Sequence, residues 1–420
     1  MKLSVTGLGY IGLPTAAMFA KAGLQVVGVD KNQKIVDALN RGTIVIHEDG
    51  LAELVKEAVD SGRLRAVTSP EEADAFIIAV PTPITEDKQA DMRYVAAAAE
   101  NIAKVLKKGD LVILESTSPA GTCDDLLKPI LEKSWLKACV DFGLGHSPER
   151  VIPGHILEEL VNNDRVAGGC DPESTRRIKE LYSLFVKGTI YETNAKTAEM
   201  CKLAENTFRD VNIAFANELA KICEAQGINV WELISICNHH PRVNIHQPGP
   251  GVGGHCIAVD PWFIVGTEPT RANIIRLARI TNDSMPYYVA EKAKTILCGT
   301  EKPKIALLGA TYKPDVDDMR ESPVLILAEA LREKGWEVRI HDPFVKGREG
   351  ISGDLEECAR GADLVILGVN HSCYKELDLE KLAGLCEKAN LLDTRNFIGR
   401  EKAEKAGFKY YLLGDVRYDG

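Results

Sequence analysis

The chain has 420 residues, a formal net charge of −10, and 45% apolar, 27% charged and 6% aromatic residues. That length suits roughly three domains, and the acidic balance excludes a broad nucleic-acid-binding surface. No apolar run is long enough to span a bilayer. The 11 cysteines are odd in number and never spaced Cys-x-x-Cys, which excludes a disulfide framework and fits a reducing cytoplasm.

In chain order, MKLSVTGLG opens on a strand (3–6) and its turn, leaving no room for a signal peptide. Apolar runs predict further strands at 25–29, 75–80 and 111–115, with helices between them such as 13–22 and 32–40. Alternating strand and helix implies a mostly parallel, doubly wound sheet. A different texture follows. Residues 197–226, TAEMCKLAENTFRDVNIAFANELAKICEAQ, contain no Gly or Pro and predict a long helix stopped by Gly227. WELISICN gives a shorter helix, then comes the Gly/Pro-rich stretch PGPGVGGHCIAVDPW (248–262), and then a helical region over about 270–297.

The C-terminal part repeats the first. KIALLGATYK (304–313) parallels KLSVTGLGYI (2–11), WEVRIHD parallels LQVVGVD, GADLVILGVNHS parallels EADAFIIAVPTP, and NLLDTRN parallels DLVILEST. Four strands recur in the same order, which predicts a second Rossmann-like domain. The expected fold is α/β, with two Rossmann-like doubly wound domains joined by a long central helix and a helical middle domain. The expected boundaries are 1–195, 196–298 and 299–420.

Gly7-Leu8-Gly9-Tyr10-Ile11-Gly12 is a G-x-G-x-x-G that follows a strand, opens a helix and has Asp30 at the end of the next strand. Such glycines let a pyrophosphate reach the helix N-terminus, where N–H groups and the dipole favour anions. Asp30 would accept hydrogen bonds from ribose hydroxyls and repel a 2′-phosphate, favouring NAD; Lys31 beside it works the other way. Val80-Pro81-Thr82-Pro83 and Ser116-Thr117 stand at carboxyl ends of strands, where ligands bind. Their residue types fit ligand positioning and turn chemistry equally.

Lys202 and Asn206, spaced i, i+4, share a helix face. The pair reads either as a snorkelling surface lysine beside a neutral neighbour or as donors to a developing oxyanion. Cys256 sits behind four glycines and four residues before Asp260. A thiolate there is a nucleophile toward a carbonyl; a cysteine is also a common packing residue. His239, His240, His246, His255 and Cys256 cluster in sequence but lack metal-ligand spacing, so no metal site is expected.

These features, with SPERVIPG, NDRV, HPRVNIHQPGPGVGGHCIAVDPWFIV and YKPDVDDMRESP, resemble the UDP-glucose/GDP-mannose dehydrogenase family nearly end to end. The resemblance implies NAD-dependent, four-electron oxidation of a sugar C6 alcohol to a carboxylate, for cell-surface polysaccharide or glycan precursors. It implies Cys256 as the nucleophile that captures the aldehyde, Glu149 as activator of the hydrolytic water, Lys202 and Asn206 as oxyanion donors, Asp260 as a proton-transfer partner, and Thr117 as a holder of water and cofactor. Tyr10, Ile11, Thr82 and Arg320 would line the NAD site. Glu149, Arg150, Val151, Lys202, Asn206, Arg209, His246, Gly253, Tyr312, Lys313 and Arg395 would line that of the UDP-sugar, with Arg242 reaching it across a homodimer interface. Pro153 stands where the UDP-glucose branch has a second Glu, and GGHC replaces its GGSC. Both departures resemble the branch acting on UDP-N-acetylhexosamines, and VGGHCIAVDPWFIV implies UDP-N-acetyl-D-mannosamine as the substrate.

Overall fold

A computed structural model describes residues 1–416 except His47 and Pro153. The chain divides into two compact units, Met1–Glu205 with Trp262–Pro269, and Asn206–Pro261 with the chain from Thr270 on. Residues 196–205 and 262–269 group with the first unit, and the rest of 196–298 with the second.

The first unit carries an eight-stranded sheet built from β1 (Lys2–Thr6), β2 (Gln25–Val29), β3 (Leu64–Val67), β4 (Ala75–Ile78), β5 (Leu111–Leu114), β6 (Gly143–His146), β7 (Arg165–Gly169) and β8 (Ile190–Asn194). Its order is β3-β2-β1-β4-β5-β6-β7-β8, parallel throughout except between β6 and β7. Successive strand residues point to opposite faces. Leu3, Val5, Ile77 and Ile113 pack into one core, and Phe76, Ile78, Val112 and Leu114 into another on the opposite face. Both faces are therefore covered, as parallel sheets require. Each such side chain contributes about 1.5–3 kcal/mol by leaving water.

The second unit carries a six-stranded, wholly parallel sheet: β9 (Lys304–Leu308), β10 (Glu337–His341), β11 (Ile351–Ser352), β12 (Leu364–Leu367), β13 (Asn390–Asp393) and β14 (Lys409–Leu412). Its order, β11-β10-β9-β12-β13-β14, matches the first six strands of the other sheet position for position. The four repeated strands read from sequence occupy corresponding places in the two sheets.

The strands at 64–67, 143–146, 165–169 and 190–194 escaped the periodicity reading for physical reasons. GLGH and RVAGG are weak strand formers, and IYETN is largely solvent-facing at the sheet edge. The long helix spans Ala195–Gln226, about 48 Å at 1.5 Å per residue. Asn194 caps it, its Oδ1 accepting the Thr197 N–H at 2.9 Å. Gly227, at φ +74°, ends it as the sequence suggested. The helix Asn273–Ile296 packs beside it through a buried polar seam in which Arg279 pairs with Asp210 at 2.5 Å and Asn217 donates to Asn282 at 2.8 Å. Among the described residues, no helix is long and apolar enough to cross a membrane.

Candidate active site

The turn after β1 has the conformation a dinucleotide needs. Gly7 has φ +96°, donates its N–H to Val29 O at 2.8 Å, and has Ala79 O where a side chain would stand. A Cβ on Gly12, the first residue of the helix Gly12–Lys21, would collide with Gly7 O. A Cβ on Gly9, by contrast, would meet nothing within 4 Å, so the middle glycine faces open space at the helix N-terminus. Asp30 closes the turn: its Oδ2 accepts Leu8 N–H at 3.1 Å and its Oδ1 accepts Asn32 N–H at 2.9 Å. Each oxygen keeps a further lone pair for a ribose hydroxyl. Lys31 lies 4.9 Å over the Tyr94 ring. These residues fit NAD. Tyr10 is exposed and Ile11 half-buried beside the turn, Thr82 is buried after β4, and Thr117 is half-buried after β5. Ser116 is committed to the turn, donating its hydroxyl to Val80 O at 2.7 Å.

Glu149 follows β6 and is held by a buried cation the sequence reading did not single out. Arg165 donates from Nη1 to Glu149 Oε2 and from Nη2 to Glu115 Oε1, each at 2.5 Å, and from Nε to Ser147 Oγ at 2.9 Å. Its guanidinium lies 3.7 Å from the Tyr182 ring centroid, and the Tyr182 hydroxyl donates to Glu115 at 2.9 Å. Burial pushes Glu115 up to about 7 against the pull of Arg165, with the Glu149 charge adding to the rise. Burial also works against charge on Arg165, but Glu149, Tyr182 and Glu115 hold its pKa above the ordinary guanidinium value. Arg150 donates its backbone N–H to Glu149 at 2.7 Å and pairs with Glu205 at 2.6 Å; Val151 is half-buried next to it. Pro153 lies outside the described residues.

In the second unit, the cysteine loop is fastened at both ends. Gly249 donates to Asn217 Oδ1 at 2.9 Å, and Gly254 donates to Arg320 O at 3.1 Å. Its glycines make room for this chain's own groups. A Cβ on Gly249 would stand 2.5 Å from Arg395 Nη1, on Gly254 2.7 Å from the Tyr312 ring, and on Gly253 2.8 Å from both Pro323 and Tyr312. The loop ends in a helical turn in which Cys256 O accepts the Asp260 N–H at 2.8 Å, which stacks the two residues on one side. Cys256 is exposed, so it is not a packing residue. Asp260 is 3% exposed, and its Oδ2 accepts Asn206 Nδ2–H at 2.6 Å. Lys202, half-buried, lies one turn before Asn206 on the same helix.

Arg395 follows β13, donates from Nε to Gly368 O at 3.3 Å, and has no carboxylate pair among the described residues. Arg395 is half-buried, and burial pushes its guanidinium down to about 10. Tyr312 is half-buried beside the loop's glycines, Lys313 is half-buried next to it in the chain, and Arg320 pairs with Asp318 at 2.6 Å. His246 is half-buried; Arg209 and Arg242 are exposed.

The second sheet keeps the glycine turn but not the dinucleotide cradle. Gly309 repeats the φ of +96° and donates to His341 O at 2.7 Å. The following helix, however, begins only at Pro323, and the counterpart of Asp30 is saturated. Asp342 accepts from Ala310, Phe344 and Val345 N–H groups and faces His371 Nε2 at 3.0 Å.

One dinucleotide turn, a second nucleotide-type sheet and an exposed thiol on a glycine loop define a nucleotide-sugar dehydrogenase. The sequence matches the UDP-glucose/GDP-mannose dehydrogenase family in its NAD binding domain over residues 1–186, its central domain over 196–284 and its UDP binding domain over 306–400. The chain belongs to this family. It is 49% identical over 420 residues to the UDP-N-acetyl-D-mannosamine dehydrogenase of Methanocaldococcus jannaschii, covering 99% of this chain and 96% of that one. It is also 49% identical over 406 residues to an NDP-N-acetyl-D-galactosaminuronic acid dehydrogenase of Ralstonia solanacearum, covering 94% and 95%. The solved UDP-D-ManNAc dehydrogenase of Pyrococcus horikoshii superposes with a TM-score of 0.92 at 40% identity, over 99% of both chains.

Proposed function

We propose that this protein oxidises the C6 alcohol of UDP-N-acetyl-D-mannosamine to UDP-N-acetyl-D-mannosaminuronate. The observation that carries the reading is the exposed Cys256, stacked on an Asp260 that is hydrogen-bonded to Asn206. The turn 7–12 and Asp30 hold NAD, which supplies hydride acceptance at each of two oxidations. Asn206 and Lys202 steady the oxygen at C6, and Asp260 takes part in moving its proton. Cys256 adds to the aldehyde as a thiolate, and loss of the second hydride leaves a thioester. Glu149, oriented by Arg165, activates water to release the carboxylate, with Thr117 positioning that water. Arg395 and Lys313 neutralise the UDP, and Tyr312, Gly253, Arg150, Val151, Arg209 and His246 shape the sugar site. The balance is one sugar, two NAD and one water to one carboxylate, two NADH and three protons. A reaction supplied with NAD and a UDP-sugar suits the cytoplasm.

Counting NADH per sugar tests the reaction. Two equivalents with no free aldehyde are expected; one equivalent with aldehyde as product overturns it. A panel of UDP-N-acetylmannosamine, UDP-N-acetylglucosamine, UDP-N-acetylgalactosamine, UDP-glucose and GDP-mannose tests the sugar. The first should give the highest kcat/KM.

The protein works as a homodimer in this reading. The long helix exposes Phe208, Phe215 and Ile222 at seven-residue spacing, and the helix Asn273–Ile296 exposes Ile274, Leu277, Ile280 and Tyr287. Apolar stripes of this kind mark association surfaces. A dimer would also let the exposed Arg242 reach a neighbouring site. Sedimentation equilibrium should return twice the chain mass of 45.9 kDa, and Phe215→Glu should halve it. A monomeric wild type removes the proposal.

A further inference from the structure

We infer that the first unit contains a buried zinc site formed by Cys123, His146 and Glu199. The three residues are far apart in sequence. Cys123 opens the turn of helix that runs to Leu127, His146 ends β6, and Glu199 lies in the second turn of the long helix. Their ligand atoms nevertheless lie within 4.8 Å of one another, and all three residues are 0% exposed. Neither ring nitrogen of His146 has a hydrogen-bond partner, a rare and costly condition for a wholly buried imidazole.

The donor set selects the ion. A thiolate and an imidazole favour zinc over magnesium or calcium. Tetrahedral bonds of about 2.0–2.3 Å place donor atoms roughly 3.3–3.8 Å apart, a modest closing of the present cluster. Zn²⁺ with one thiolate, one carboxylate and one neutral imidazole carries no net charge, which a buried site requires. Binding displaces the Cys123 thiol proton to solvent. The carboxylate is already oriented: Glu199 Oε2 accepts Gly121 N–H at 2.5 Å and Oε1 accepts Cys123 N–H at 2.8 Å. Cys170, following β7, packs against the same cluster as Cys123 and, kept as a thiol, would support the thiolate. The ion would pin the long helix to the end of β6, three residues before Glu149. Its role is therefore structural, with a mechanical link to the water-activating loop.

The test uses the full chain, stripped of metal with a chelator and titrated with Zn²⁺ or Co²⁺ alone. One equivalent of Zn²⁺ per chain is expected. Co²⁺ should give a thiolate-to-metal charge-transfer band with intense visible bands of tetrahedral Co²⁺. Cys123→Ser and His146→Phe should each weaken Zn²⁺ binding at least about tenfold, while Cys256→Ala leaves it unchanged. The Co²⁺ spectrum of the wild type decides the matter even where a variant fails to fold. A Co²⁺ spectrum without the thiolate band, or binding that is lost with Cys256 instead, overturns the site. So does a stoichiometry below one tenth.

Discussion

Replacing Cys256 by Ala should lower uronate formation by at least roughly 10⁴-fold while leaving NAD affinity within about twofold of the wild type. The thiol is exposed and carries no core packing, so its removal opens no cavity. The NAD turn belongs to the other unit, with its own strand and helix. The variant retains Asp260, Asn206 and Lys202, so the first oxidation survives and aldehyde leaves the protein with one NADH. Product analysis by mass spectrometry and NAD titration by fluorescence measure the two halves. A parallel loss of NAD affinity would assign the thiol a structural task, and unchanged uronate formation would remove it from the chemistry.

Arg165→Met should cost about 3–5 kcal/mol, because it strands two carboxylates whose side chains are 0% and 8% exposed, with only the Tyr182 hydroxyl left donating to Glu115. The lowered midpoint of urea unfolding reads this directly. Arg165→Met/Glu115→Gln should recover a large part, since it removes the most deeply buried of the stranded charges. A pH dependence accompanies it. The folded-state pKa of Glu115 lies above its ordinary value of 4.5, at about 7, because of burial. The folded chain thus holds this proton more tightly than the unfolded chain. Its contribution to stability is complete below pH 4.5 and is lost as pH rises to 7. Glu115→Gln removes that loss, so its midpoint should rise relative to the wild type across this window. A constant difference between the two would show that Glu115 does not titrate there.

Much of the candidate site was legible because its parts are local. The glycine turn, Asp30, the helix stop at Gly227 and the Cys256/Asp260 pair each rest on residues close in sequence, where spacing alone fixes geometry. The repeated strands were legible because parallel buried strands must be continuous apolar runs. The glycines of 248–262 show in the sequence as a run of four ahead of Cys256. They give clearance to Arg395, Tyr312 and Pro323, which arrive from distant parts of the chain and leave no mark in the loop's own sequence.

By itself, then, the sequence determined two nucleotide-type sheets, one dinucleotide turn and one thiol set on a glycine-rich loop. Only the tertiary structure decided which of two similar halves keeps its acid available. Asp30 retains lone pairs, whereas Asp342 is saturated by three backbone N–H groups and His371. Only the tertiary structure joined Arg165 to Glu115 and Glu149, and Cys123 to His146 and Glu199. The physical reason is the same in each case. Buried charges and ligands need partners within a few ångströms, and sheet crossovers supply those partners from segments that are distant along the chain.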